Sequence, residues 1–307
     1  MADKDAYLIL HPRLKSHTGV FGAVDQLRRE GLSIEMQVPD SPAGSQALAA
    51  RLAQTGAADT VIAGGGDGTL NAVATGLLSA PAGQRPALGV LPLGTANDFA
   101  RGCGIPLQDP LAALRLVLER PPVPIDVGRC GERFFVNVAT GGFGAEVTAG
   151  TDPALKQALG AMAYLLTGVS RLGGIRARQA RFSGGGRVWE GRFLAMAAGN
   201  GRYAGGGVDV CPGARIDDGL LDVSVVPEVP EDVLARALAR FMREGSTGDA
   251  LPVQRWTCSR LEVRARDDLH VNLDGEPLCA PELLFSILPA ALACHLPPDC
   301  PLLTRPL

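Results

Sequence analysis

Through the first 120 residues, short apolar runs alternate with longer stretches of helical period. AYLIL, VFGAVDQLRRE, LSIEMQV, AGSQALAARLAQ, DTVIAG, TLNAVATGLLS and ALGVLPLG follow one another between Ala6 and Gly94. An apolar run without polar alternation marks a strand covered on both faces, and the segments between them repeat with the period of a helix. The pattern predicts β-α-β-α order, hence a parallel sheet with helices on both sides and ligands at the carboxyl ends of its strands. Two glycine-bearing loops, after Ala63 and after Pro92, fall at such ends.

The pattern changes at Pro121, Pro122, Val123 and Pro124, because repeated prolines interrupt both helices and sheet pairing. Strands dominate from there: PIDVGRC, RFFVNVAT, IRARQARF, RFLAMAAG, LLDVSVV, RLEVRAR and LHVNL, punctuated by Gly and Asp-Gly. They predict an antiparallel sandwich or barrel-like second domain. Two helices interrupt it, at about 153–172 and 230–244; the second opens on Pro230, Glu231 and Asp232 and is followed by Gly245. The predicted division is an α/β domain over 1–121 and a β-rich domain over 122–294. No internal repeat and no heptads interrupt this reading.

A chain of 307 residues fits two domains at roughly 150 residues each. With 46% hydrophobic and 20% charged residues, it is neither disordered nor collagen-like. A net charge of −3 removes nucleic acid as the default partner. Seven cysteines form no CxxC pair, and MADKDAYLIL lacks the apolar core of a secretory signal. Reduced thiols and a cytoplasmic address are expected. No stretch reaches 18 uninterrupted apolar residues, and the best candidate, Leu283 to Leu296, is broken by Pro289. Any contact with a membrane is therefore expected to be peripheral, at its inner surface.

The densest chemical signal is Gly64, Gly65, Gly66, Asp67, Gly68 and Thr69, between an apolar strand and a helix. Glycines let backbone N–H groups approach an anion, and the helix N-terminus adds partial positive charge, so a phosphate fits there. The missing lysine excludes a Walker loop. Asp67 would repel a phosphate directly, so its natural routes are a magnesium ion, a water or a ribose hydroxyl. A plain strand-to-helix turn capped by Thr69 accounts for the same residues.

The second loop, Pro92 to Arg101, offers Thr95, Asn97 and Asp98 to phosphates and hydrated metal, or else as caps of the short helix that follows. Arg215 to Asp222 reads first as an Asp-Gly hairpin, a geometry compatible with a magnesium site built from one carboxylate and backbone carbonyls. Asn272 and Leu273 lead into Asp274, Gly275, Glu276 and Pro277, an apparent turn that brings two carboxylates close together. Such a pair can hold one carboxylate ready to accept a proton from a hydroxyl, or can simply form a solvated turn. Gly199 to Gly207 is a third glycine-rich loop, read as a mobile wall beside the acceptor. Arg171, Arg176, Arg178 and Arg181 either face anionic lipid headgroups or form a solvated surface. The four histidines have no metal-ligand spacing.

Taken in order, GGGDGTLN at 64–71, PLGTANDFAR at 92–101, GNGRYAGGG at 199–207, IDDGLLDV at 216–223 and NLDGEPL at 272–278 resemble the diacylglycerol-kinase-like lipid kinases, and most closely the bacterial YegS-type enzymes. The resemblance spans nearly the whole chain. It implies an active cleft between the two domains, with residues 295–307 packing back on the first. By the family's motifs, Gly65, Gly66, Asp67, Gly68, Thr69, Leu70, Asn71 and Thr95 contact ATP. Glu276 is the proton acceptor with Asp274 beside it, while Asp67 and Asp98 organise Mg²⁺ and water in the catalytic set. A further magnesium uses Asp218 and the carbonyls of Arg215 and Leu220. His11 stands where similar sequences often carry Asn, and Asp40 lies near a position often held by a nucleotide-contacting Thr.

The expected activity is ATP-dependent phosphorylation of a membrane lipid hydroxyl, with transient docking on the bilayer surface and no nucleic-acid partner. An NAD-kinase-like enzyme also uses a GGDG loop, but PLGTANDFAR and IDDGLLDV favour the lipid. A catalytically silent lipid-binding module would be expected to lack the acidic turn, which is present here. The sequence selects neither the lipid nor an oligomeric state.

Overall fold

A computed structural model describes residues 6–142, 177–244 and 251–305. Chain contacts divide it into two units: unit 1 holds 1–127, 216–218 and 288–307, and unit 2 holds 128–215 and 219–287. The predicted helix at 153–172, with Arg171 and Arg176, lies outside the described residues.

Unit 1 is built on β1 (Ala6–Leu10), β2 (Ile34–Gln37), β3 (Thr60–Gly65) and β4 (Ala87–Pro92), parallel and in the order β4-β3-β1-β2. Every residue of β3 and β4 is buried, as their unbroken apolar runs predict for strands covered on both faces. The covering helices are α1 (Thr18–Arg29), α2 (Pro42–Thr55), α3 (Asp67–Leu78), the short α4 (Asp98–Cys103) and α5 (Pro110–Glu119). α1 packs with α5, and α2 with α3. Ser41 caps α2 through the Gly44 amide at 3.1 Å, and Asp109 caps α5 through the Ala112 amide at 3.0 Å.

The chain returns to unit 1 at its end. β15 (Glu276–His295) begins in unit 2 and finishes beside β4, where Cys294 pairs in parallel with Leu88. Buried His295 bridges the Arg120 carbonyl (2.7 Å) and the Thr60 hydroxyl (3.1 Å), and Arg85 donates to the Ala291 carbonyl at 2.6 Å. Farther on, Asp217 accepts from the amide and the hydroxyl of Thr304, each at 2.8 Å.

Unit 2 is antiparallel. After β5 (Pro122–Cys130), β6 (Arg133–Phe135) and β7 (Val138–Gly142) come β8 (Arg178–Gly184), β9 (Arg187–Gly199), the short β10 (Tyr203–Ala204) and β11 (Val208–Asp209), β12 (Leu221–Pro227), β13 (Gln254–Cys258) and β14 (Arg260–Leu273). The long strands β9 and β14 each pair with β8 along one half and with β7 along the other. Alternation on β14 buries Leu261, Val263, Leu269, Val271 and Leu273, with a register shift between Arg264 and Leu269. They join Phe135, Phe182, Phe193 and Phe285 in one core. Phe182 meets Phe193 edge to face with ring centroids 5.1 Å apart. The predicted 230–244 helix is α6 (Glu231–Glu244), opening on Glu231 and Asp232 as anticipated. Among the described residues no helix is long and apolar enough to cross a membrane.

Candidate active site

Parallel strands deliver their carboxyl-end loops to one edge, and β3 and β4 are neighbours, so the two glycine loops of unit 1 meet. They touch backbone to backbone: a Cβ on Gly66 would lie 3.2 Å from Gly94 Cα, and one on Gly94 would collide with Gly66 Cα. The Leu93 amide donates to the Gly65 carbonyl at 2.8 Å. Asn97, at φ +50, braces the second loop by accepting from the Gly94 amide and donating to its carbonyl, both at 2.8 Å.

Asp67 joins the loops. Its carboxylate accepts from the backbone amides of Asp98 (3.2 Å) and Phe99 (3.3 Å), the first two residues of α4. It therefore bonds the helix N-terminus that the sequence offered to Thr95, Asn97 and Asp98; Asn97 stands at the N-cap position but makes no side-chain capping bond. Burial, then the nearby charge of Asp98, hold the Asp67 carboxyl above its ordinary range, while the amides of Asp98 and Phe99 pull it down. Thr69 does not cap α3 either: Gly66 occupies the N-cap without a side-chain bond, and buried Thr69 fills the space a Cβ on Gly65 would need. A small cavity lined by Gly65, Gly66, Asp67, Leu70, Pro92, Asn97 and Ala100 opens between the loops. Gly68 and Thr95 are exposed, Asn71 is buried on α3, and Asp98 is buried at the start of α4. Asp40 is exposed after β2, at the same carboxyl edge but beyond β1. His11, after β1, accepts from the Arg13 amide at 3.2 Å; burial and then the Arg13 charge lower its pKa.

In unit 2, Asp274 and Gly275 form a two-residue hairpin with φ of +50 and +107, and Leu273 pairs with Glu276 across it. Asp274 is buried with its carboxylate turned into the backbone of residues 136–138. It accepts from the amides of Val136 (2.5 Å), Asn137 (3.1 Å) and Val138 (2.9 Å). Glu276 is exposed. The two carboxylates thus differ in surroundings: one fastens the turn, the other stands free of that fastening at its end.

The glycine loop 199–207 is tied to the same strip. Asn200 and Gly201 donate their amides to the Asn137 carbonyl at 2.9 and 2.7 Å, and the loop closes in the β10–β11 hairpin.

Comparison with known proteins agrees with these motifs along the whole chain. Residues 8–130 match the family model described as a diacylglycerol kinase catalytic domain, and 137–295 match the YegS C-terminal NAD kinase beta sandwich-like domain. A Pseudomonas aeruginosa protein named "Probable lipid kinase YegS-like" is 46% identical over 305 residues, 99% of this chain and 98% of its own length. A Yersinia pestis protein of the same name is 41% identical over 297 residues, 96% of this chain and 98% of its own. The chain belongs to the YegS-like lipid kinase family. Its fold is also that of a solved Bacillus anthracis str. Sterne protein titled a "putative diacylglycerol kinase", with TM-score 0.82 at 23% identity, over 97% of this chain and 96% of that one.

In this YegS-like chain the 215–220 segment is not a hairpin. The strand after it, β12, pairs with β9 and β13 rather than with the strand before it, because the segment is a turn between two elements that never pair. Asp217 is held by Thr304, whereas Asp218 is exposed and Arg215 and Leu220 are half-buried. Among the described residues no three His, Cys, Asp or Glu side chains gather as a metal cluster. A magnesium ion here would rely on backbone carbonyls beside Asp218, an all-oxygen set suited to a hard cation. Arg181 pairs with Glu190 at 3.7 Å on the exposed surface. Sequence reasoning passed over Asn137: a polar residue inside the apolar run FFVNVA was its only signal.

Proposed function

We propose that the chain transfers the γ-phosphoryl group of ATP to a hydroxyl of a membrane lipid. The supporting observation is the paired glycine loops joined by Asp67, in a chain of the YegS-like lipid kinase family. In this reading Gly65, Gly66, Gly68, Thr69, Leu70, Asn71 and Thr95 bind the nucleotide, with Asp40 at the margin. Exposed loop amides orient the phosphates, and Asp67 keeps α4 in register with them. Asp67 and Asp98 suit magnesium chemically, since two carboxylates close enough to repel are relieved by a divalent cation. Bound magnesium would neutralise charge on the phosphates. Asp218 with the carbonyls of Arg215 and Leu220 would hold a second ion. Glu276 accepts the hydroxyl proton, and Asp274 fixes the turn that carries it.

Phosphoryl transfer passes through a loose transition state, so positioning and electrostatics outweigh base strength, and a general base adds roughly 10²- to 10⁴-fold. The acceptor is reached from the membrane surface by transient docking. The test is incubation with radiolabelled ATP and a panel of diacylglycerol, phosphatidylglycerol, a sphingoid base and, separately, NAD. Label in a lipid is expected, with turnover by Glu276→Ala reduced by about that factor and ATP binding kept. Label in NAD alone, or near-normal lipid phosphorylation by Glu276→Ala, would overturn the reading.

A further inference from the structure

The turn carrying Glu276 and the glycine loop 199–207 are both fastened to the strip of residues 136–138. Asn137 is only 5% exposed and lies within the strip whose amides end on Asp274. Its side-chain amide donates to the Tyr203 carbonyl at 2.8 Å, while its own carbonyl holds the amides of Asn200 and Gly201. The Asn200 side chain returns a bond to the Val136 carbonyl at 2.7 Å. The loop is thus bolted to residues 136–137 at 200–201 and again at 203.

The other end of the Asn137 side chain is a buried oxygen with no hydrogen-bond partner among the described residues. It presses on Gly201, where an added Cβ would collide with it. A buried acceptor left unpaired is unfavourable, and native structures keep such groups for a reason. The amide nitrogen of the same side chain holds the Tyr203 carbonyl. A smaller side chain would remove the orphaned oxygen and also release Tyr203.

We propose that Asn137 is a positioning residue for the phosphoryl transfer: by pinning loop 199–207 to the strip that grips Asp274, it fixes the direction of the Glu276 carboxylate. This rests on the reading of Glu276 as proton acceptor. A displaced base loses alignment, and a misplacement on the order of 1 Å can cost about 100-fold in rate.

The test is a double-mutant cycle in the full chain, with Asn137→Ala and Glu276→Ala alone and combined, read as kcat and as KM for ATP. Asn137→Ala should lower kcat by about 10- to 100-fold with KM for ATP unchanged, and should lower it no further on the Glu276→Ala background. A merely structural role would cost the same factor on both backgrounds, and that result overturns the positioning role while leaving Glu276 as base. Near-wild-type turnover by Glu276→Ala alone overturns the underlying reading and this inference with it. Asn137→Ser, taken through the same cycle, serves if the alanine variant does not fold.

Discussion

At the scale of single residues, the contact between Gly66 and Gly94 sets the tightest demand in unit 1, because both loops approach with backbone atoms alone. Gly94→Ala places a methyl against Gly66 Cα, and neither loop can yield without moving the α4 amides that Asp67 holds. Overpacking of this kind costs about 1–3 kcal/mol. The expected outcome is a lower melting temperature together with a raised KM for ATP. Gly68→Ala is the control, since a Cβ there meets nothing within 4 Å and the position is exposed. Its stability should change by less than about 0.5 kcal/mol. Equal melting of the two variants would show that the loops are not in close contact.

At the scale of elements, the Asp274-Gly275 hairpin stands on three amides from a distant part of unit 2. Asp274→Ala strands those amides in the interior and also puts alanine at positive φ. With about 1–3 kcal/mol for each buried group left unbonded, a total loss of roughly 3 kcal/mol or more is expected. Asp274→Asn keeps one acceptor oxygen and should lose less. Denaturant titration followed by tryptophan fluorescence checks this, because Trp189 and Trp256 both belong to unit 2. The turn itself was legible in the sequence, as was the order of elements in unit 1, because Asp-Gly geometry and strand-helix periodicity are local properties. What Asp274 grips was not legible, because its partners lie 136 to 138 residues away. The same holds for Asp67, which caps a helix about 31 residues downstream and takes the place that local reasoning gave to nearer side chains. Local spacing also reads 215–222 as a hairpin, and only the pairing of β12 with β9 and β13 shows otherwise.

At the scale of the whole molecule, the chain enters unit 1, leaves it and returns to it twice, so the unit is not a continuous stretch of sequence. The residues matching the kinase catalytic domain end at 130, but the parallel partner of β4, the His295 bridge and the Arg85 contact all come from beyond 287. That return also buries Leu292, Leu296, Leu302 and Leu303. At about 1.5–3 kcal/mol for each buried leucine, these four contribute roughly 6–12 kcal/mol. Whole domains are stable by only about 5–15 kcal/mol. A fragment ending at residue 130 should therefore fail to fold alone, although it holds every nucleotide-contacting residue proposed here. Far-ultraviolet circular dichroism against temperature decides the point: the full chain should melt cooperatively and the fragment should show no transition. A cooperative melt from the 1–130 fragment would mean that β1 to β4 and their helices suffice, and that the terminal segment adds cover to a core already closed.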